Sequence, residues 1–195
     1  MQRICVFSGS SMGVRPVYRE AAEALGKELA KRLIGLVYGG ASVGLMGVIA
    51  DSVLAAGGEV IGVIPHAISK REIAHTHLTA LHEVGSMHER KALMSDLADG
   101  FIALPGGFGT FDELFEVTTW APLRMHTKPI GLLNVAHYFD PLLAMVQHAA
   151  TEGFIQSRYM GLLLHREAPT ELLDALTNYT PLHDQFNWPD RPPER

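Results

Sequence analysis

The sequence predicts an α/β protein built on a parallel, doubly wound sheet flanked by helices, and three observations carry that prediction. Short apolar runs alternate with longer amphipathic ones along the whole 195-residue chain, which is how strands joined by crossover helices read. Three of the apolar runs pass straight into glycine-rich turns: CVFSGSSMG, VYGGASVGLMG and ALPGGFGTFDE. A composition of 47% hydrophobic and 19% charged residues suits one filled core, and the length suits one domain.

Taken in order, strands are expected over 4–9, 35–40, 59–65, 101–107 and 129–134, with shorter ones over 78–84 and 161–166. The segment 16–34 opens with Pro16, a residue preorganised for a helix start, and places Ala21, Leu25, Leu29 and Leu33 at helical spacing. Glu23, Lys27 and Lys31 fall on its other face, so it reads as a surface helix. Further helices are expected over 45–58, 87–100, 110–123, 139–153 and 169–179, some of them ending on glycine as C-caps do. With no repeat and no internal linker, residues 1–180 read as one nucleotide-binding domain. The proline-rich stretch 181–195 reads as a C-terminal tail.

The formal net charge of −5 argues against nucleic acid or an anionic membrane as partner, because neutralising phosphates needs clustered Lys and Arg. Cys5 is the single cysteine, which excludes an intramolecular disulfide and a cysteine metal cluster and suits a reducing, cytoplasmic setting. The apolar run at the N-terminus is too short for a signal peptide, and nothing approaches a membrane span. A small-molecule ligand is the expected partner.

In a doubly wound sheet the turns after the strands open on one edge, where ligands bind at the topological switch point. Three glycine turns there describe a nucleotide-sized site, with Ser10, Gly40, Gly44, Gly106, Gly107, Phe108, Gly109 and Thr110 as candidate phosphate- or substrate-binding residues. Neither a P-loop nor a dinucleotide fingerprint is present: no G-x-x-x-x-G-K-[ST] occurs, and the third glycine position after Gly107 and Gly109 holds Asp112. Asp112 and Glu113 raise a question, since acids beside a phosphate seat should repel the ligand. Thr110 to Glu113 also spells a T-x-x-E capping box, a purely local reading that leaves Pro105, Gly106, Gly107 and Gly109 unexplained. His75, His77 and His82 cluster in sequence, but no H-E-x-x-H motif or carboxylate set completes a metal site, so they read as solvated loop histidines. Phe115 and Trp120 read as core or subunit-contact residues.

The stretch PGGFGTFDE, Pro105 to Glu113, resembles the P-G-G-x-G-T-x-x-E motif of the Lonely Guy family of cytokinin riboside 5'-monophosphate phosphoribohydrolases, long mislabelled lysine decarboxylases. MHERK, Met87 to Lys91, is similar to the family's companion motif, and the likeness extends over nearly the whole chain except the tail. The resemblance implies a Rossmann-like three-layer sandwich with a mostly parallel central sheet and a homodimer or higher homo-oligomer; no cofactor and no metal are expected. It implies hydrolysis of the N-glycosidic bond of a nucleoside 5'-monophosphate, AMP or an N6-modified AMP, to free base and ribose 5-phosphate. Carried over by position, Arg90 and Glu113 would be the catalytic pair, with Lys91 beside them. Gly107, Gly109 and Thr110 would hold phosphate, Glu72 would contact substrate and Thr119 would line the site. Departures from the family pattern are Asp112 for Glu, Ala41 for a frequent glycine, and Pro122 and Arg124 for a more usual Gln and Gly. They bear on base preference and helix-end geometry.

The chemistry fits the residue types. Glycosidic cleavage builds positive charge on the sugar and negative charge on the leaving base, so a carboxylate at the sugar and a cation at the base match both. Each well-aimed group of this kind contributes about 3 to 4 kcal/mol. Arg90 stays charged and so stabilises or orients rather than donating a proton; apart from the resemblance, Arg90 and Lys91 also read as a solvated helix face. Two other functions remain open at this point: a non-catalytic nucleotide or molybdenum-cofactor carrier on the same fold, and a decarboxylase that would need a lysine Schiff base to pyridoxal phosphate. Of the five lysines, only Lys70 and Lys91 lie near the motifs.

Overall fold

The computed structural model describes residues 1–69 and 74–182. Seven strands, β1 (Arg3–Phe7), β2 (Gly35–Tyr38), β3 (Val60–Pro65), β4 (Ala80–Val84), β5 (Gly100–Ala103), β6 (Ile130–Leu133) and β7 (Leu163–Arg166), form one sheet in the order β4-β3-β2-β1-β5-β6-β7. Every pairing is parallel, so the sheet is parallel throughout. An isolated antiparallel bridge joins Ala41 and Ala74 outside it. Helices α1 (Pro16–Lys31), α2 (Gly44–Ala55), α3 (His66–Ile68), α4 (Met87–Asp96), α5 (Phe108–Trp120) and α6 (Asp140–Thr151) lie in the connections between successive strands, and α7 (Pro169–Thr177) follows β7. No helix among the described residues is long and apolar enough to cross a membrane. The tail lies outside the described residues from position 183 on.

Two-residue alternation along the strands divides the core into two layers. Ile4, Val6, Leu36, Tyr38 and Ile102 pack with residues of α1, α2 and α7 on one face. Cys5, Phe7, Val37, Phe101 and Ala103 pack with α4 and α5 and against α6 on the other. Both faces are covered, as an all-parallel sheet requires. Strand order runs one way from β1 through β4 and the other way from β5 through β7, so the switch point falls between β1 and β5. There the two loops are tied together: Gly9 N–H donates to Pro105 O at 3.1 Å and Leu104 N–H to Phe7 O at 2.9 Å.

Three helices end in the same motif, a left-handed residue just past the C-cap that lets two backbone N–H groups satisfy the last carbonyls. After α2, Gly57 (φ +77°) and Gly58 donate to Leu54 O and Val53 O. After α6, Gly153 (φ +83°) and Phe154 donate to Ala150 O and Ala149 O. After α1 the same bonds run from Leu33 and Ile34 to Ala30 O and Leu29 O, but the left-handed residue is Leu33 (φ 59°). The apolar spacing had placed Leu33 on the buried face of a helix to residue 34; α1 stops at Lys31 and Leu33 is 90% exposed. Arg124 (φ 60°) makes a similar left-handed turn after α5, with Arg124 and Met125 donating to Ala121 O and Trp120 O. A left-handed L-residue costs about 1–2 kcal/mol, partly offset by the greater unfolded-state freedom of glycine. Leu33→Gly is therefore expected to raise stability by about 0.5–1 kcal/mol, seen as a higher midpoint in thermal or urea unfolding.

Candidate active site

The site gathers at the carboxyl edge of β3, β2, β1 and β5. Helix α5 starts at Phe108 with Gly107 as its N-cap and no side chain capping it. Thr110 therefore sits inside the first turn, and the T-x-x-E reading of Thr110 as cap and Glu113 as its reciprocal partner is corrected. The two side chains are buried instead, Thr110 against Gly106 and Glu113 towards α4. A related pair of bonds forms one helix earlier, with the acid reaching the residue before the N-cap. Ser86 Oγ accepts from Glu89 N–H at 3.1 Å, and Glu89 Oε2 accepts from Gly85 N–H at 2.8 Å. That cap fixes the start of α4, the helix that carries Arg90 and Lys91.

The first three N–H groups of a helix have no intrahelical partner, and at α5 these belong to Phe108, Gly109 and Thr110. A Cβ built at Gly107 or Gly109 meets no atom within 4 Å, and Phe108 is 92% exposed, so the helix start lies open. Backbone donors and the positive end of the helix dipole converge on that opening, which suits an anion. Ser10 borders it: with Gly106, Gly107, Tyr18 and Tyr138 it lines a cleft of about 290 Å³ at the switch point.

Arg90 and Glu113 face each other across the gap between α4 and α5, with Arg90 Nη2 3.4 Å from Glu113 Oε1 and both side chains largely buried. Arg90 Nε also donates to Val63 O, within β3, at 3.1 Å. Its guanidinium lies against Gly39: a Cβ there would come within 2.0 Å of Nη2. Burial pushes the Glu113 carboxyl up to about 7; the Arg90 cation opposes the rise and Asp112 adds to it. Burial, reinforced by the Glu113 carboxylate, also pushes the Cys5 thiol well up, so the free cysteine is an inert core residue. Lys91 forms a second link between the two helices, 3.2 Å from Asp112 Oδ2 and 3.0 Å from Glu116 Oε1. Two carboxylates thus occupy its ammonium, and Lys91 holds α4 to α5 instead of reaching the open helix start.

The other sequence candidates divide. Gly40 (φ +75°) and Gly44 (φ +59°) are packing positions: a Cβ at Gly44 would collide with Ser10 backbone, and one at Gly40 would crowd Ile64, Leu81 and Val63. Thr119 lies on the exposed face of α5, in an apolar groove of about 460 Å³ with Phe115, Leu123 and Phe154, and not beside Glu113. Trp120 packs on the core as expected, whereas Phe115 is exposed in that groove. Glu72 lies outside the described residues. His75 corrects its reading as a solvated loop residue: it is buried, with Nε2 2.9 Å from Asp51 Oδ1 and Nδ1 accepting from His77 N–H at 3.2 Å. The described residues hold no group of three or more His, Cys, Asp or Glu side chains arranged for a metal ion. Sequence reasoning missed Gly39, visible only as one of two glycines in VYGG, and Tyr138, which carried no local signal.

A family model described as a possible lysine decarboxylase matches residues 46–176. A cytokinin riboside 5'-monophosphate phosphoribohydrolase of Arabidopsis thaliana is 48% identical over 185 residues, covering 95% of this chain and 87% of the plant protein. A probable enzyme of the same name from Oryza sativa is 50% identical over 183 residues, covering 94% and 82%. Among solved structures, a molybdenum cofactor binding protein from Rippkaea orientalis superposes with a TM-score of 0.69 at 20% identity, over 90% of this chain and 95% of its own. A molybdenum cofactor carrier protein from Chlamydomonas reinhardtii gives 0.66 at 21%, over 90% and 96%. At such identities the structural likeness speaks for the Rossmann-like fold alone.

Gly39→Ala should leave the fold intact, because the atom in the way is the free end of a long side chain, yet it should displace the guanidinium from Glu113. With the cation further off, the Glu113 carboxyl is expected to titrate above its wild-type value of about 7. Carbon-13 NMR of labelled glutamate reads this directly, and an unchanged titration would separate Gly39 from the pair.

Proposed function

Because the chain belongs to the family of cytokinin riboside 5'-monophosphate phosphoribohydrolases, we propose that it is a hydrolase that cleaves the N-glycosidic bond of AMP or an N6-modified AMP. The products are free base and ribose 5-phosphate. The observation that carries this reading is the buried Arg90–Glu113 pair beside an open helix N-terminus. A carrier that only holds a nucleotide gains nothing from a desolvated carboxylate.

In this reading the amides of Phe108, Gly109 and Thr110 receive the 5'-phosphate, and Glu113, further along α5, serves the sugar. As the bond from C1' to the base breaks, its electron pair leaves with the base, while positive charge spreads over C1' and the ring oxygen. Glu113 in its ionised form stabilises that charge and takes a proton from the water that attacks C1'. Arg90 balances the electron pair departing with the base, which is then protonated from solvent. Lys91 keeps α4 and α5 at the spacing that the pair requires.

The chain is further proposed to work as a homodimer in the cytoplasm. Thr119, which the resemblance puts in the site, lies instead in the apolar groove of α5 with the exposed Phe154. A second copy seated on that groove would cover Thr119 and the exposed Phe154.

Glu113→Gln is expected to lower kcat by about 100- to 1,000-fold while AMP still binds, measured by chromatography of released base. In the wild-type protein the active form is the carboxylate, so kcat should fall as pH drops through about 7 and level off above it. Base released at equal rates from AMP and from adenosine would contradict the phosphate seat.

A further inference from the structure

We propose that Tyr138 is a positioning residue that sets the direction of the Gly106–Gly107 peptide and so aims the phosphate seat. This assignment rests on the reading of the glycine turn as that seat.

The Tyr138 hydroxyl donates to Gly106 O at 2.5 Å, across 32 positions of sequence. A trans peptide is planar, with its C=O and N–H pointing in opposite directions. Anchoring the Gly106 carbonyl towards Tyr138 therefore turns the Gly107 N–H the other way and keeps the carbonyl dipole off an incoming anion. Such an anchor is needed here. Gly106 is pinned on its own side, where a Cβ would meet Thr110 Oγ1 at 2.1 Å and Gly9 N at 2.8 Å, but Gly107 has open space around it. The peptide between a fixed and a free glycine can flip, and a flip would present a carbonyl oxygen to the phosphate.

The turn that delivers Tyr138 is itself held under strain. Ala136 (φ 50°) and His137 (φ 62°) are consecutive left-handed residues that are not glycine, a conformation costing about 1–3 kcal/mol each. Buried Asn134 over-determines it. Its side chain donates to Asp140 Oδ1 at 2.7 Å and accepts from Phe139 N–H at 2.7 Å, and its backbone N–H donates to Arg166 O at 2.8 Å. Tyr18 and Phe139 then close on the Tyr138 ring edge-on, at centroid distances of 5.9 and 5.1 Å. Strain of this kind persists only where the surroundings enforce it, and here its product is the hydroxyl at Gly106.

The test is Tyr138→Phe in the full chain, which keeps the ring contacts and removes one oxygen. Ribose 5-phosphate and adenine are used as separate competitive inhibitors, with thermal unfolding as a check on folding. One lost hydrogen bond corresponds to about a 5- to 10-fold change. The inhibition constant for ribose 5-phosphate is expected to rise by that factor, with that for adenine unchanged and kcat within about 3-fold. Equal weakening of both inhibitors would mark Tyr138 as merely structural, and no change in either would remove it from the site; both overturn the assignment. Wild-type protein that ribose 5-phosphate fails to inhibit overturns the phosphate seat itself, and this assignment with it.

Discussion

The arrangement turns on one constraint: a carboxylate is kept in the core edge of the sheet, and its charge has to be compensated there. Desolvation of an unpaired ion costs several kcal/mol, whereas an exposed ion pair contributes at most about 1 kcal/mol. Glu113 is 8% exposed, so the Arg90 guanidinium is a structural requirement before it is anything else. The requirement propagates outward. Arg90 needs an acceptor in β3, supplied by Val63 O. It needs a neighbour without a side chain just past β2, supplied by Gly39. It needs α4 started at a fixed residue, which Ser86 and Glu89 ensure. Lys91 repeats the theme in a weaker form, with Asp112 and Glu116 more open to solvent.

The same constraint explains how acids coexist with a phosphate seat on one helix. From Gly107 to Glu113 is six residues, or about 9 Å at 1.5 Å per residue. At that separation in a medium of effective dielectric 20, two unit negative charges repel by about 2 kcal/mol. The Arg90 cation stands 3.4 Å from the carboxylate and offsets most of it. On the proposed reading the helix thus serves a nucleotide at two points, with amides at its start and a carboxylate one and a half turns on. A carboxyl held near neutrality can change charge in the working pH range without leaving the pocket.

Much of the fold was legible because it depends on period and punctuation. A continuous apolar run such as Cys5 to Phe7, and glycine at Gly57 and Gly153, act locally and survive in sequence. What depends on distant partners did not. Leu33 looked apolar and periodic, yet backbone closure of α1 turned it outward. Thr110 and Glu113 satisfied a local capping rule, yet α5 begins two residues earlier, at Phe108, and carries both side chains inward. Within the site, PGGFGT showed the open turn and MHERK supplied the cation. The demand for Gly39 and the reach of Tyr138 arise from contacts between segments 51 and 32 positions apart, which no short motif encodes.

On the proposed reading, Arg90 and Glu113 act as one unit. A double-mutant cycle on kcat/KM for AMP tests it most directly, using Arg90→Met, Glu113→Gln and the two combined. Residues that act as a unit are strongly non-additive, so the double variant is expected to be no more than about 3-fold worse than the poorer single variant. Losses that multiply would mean two independent groups and would contradict the account.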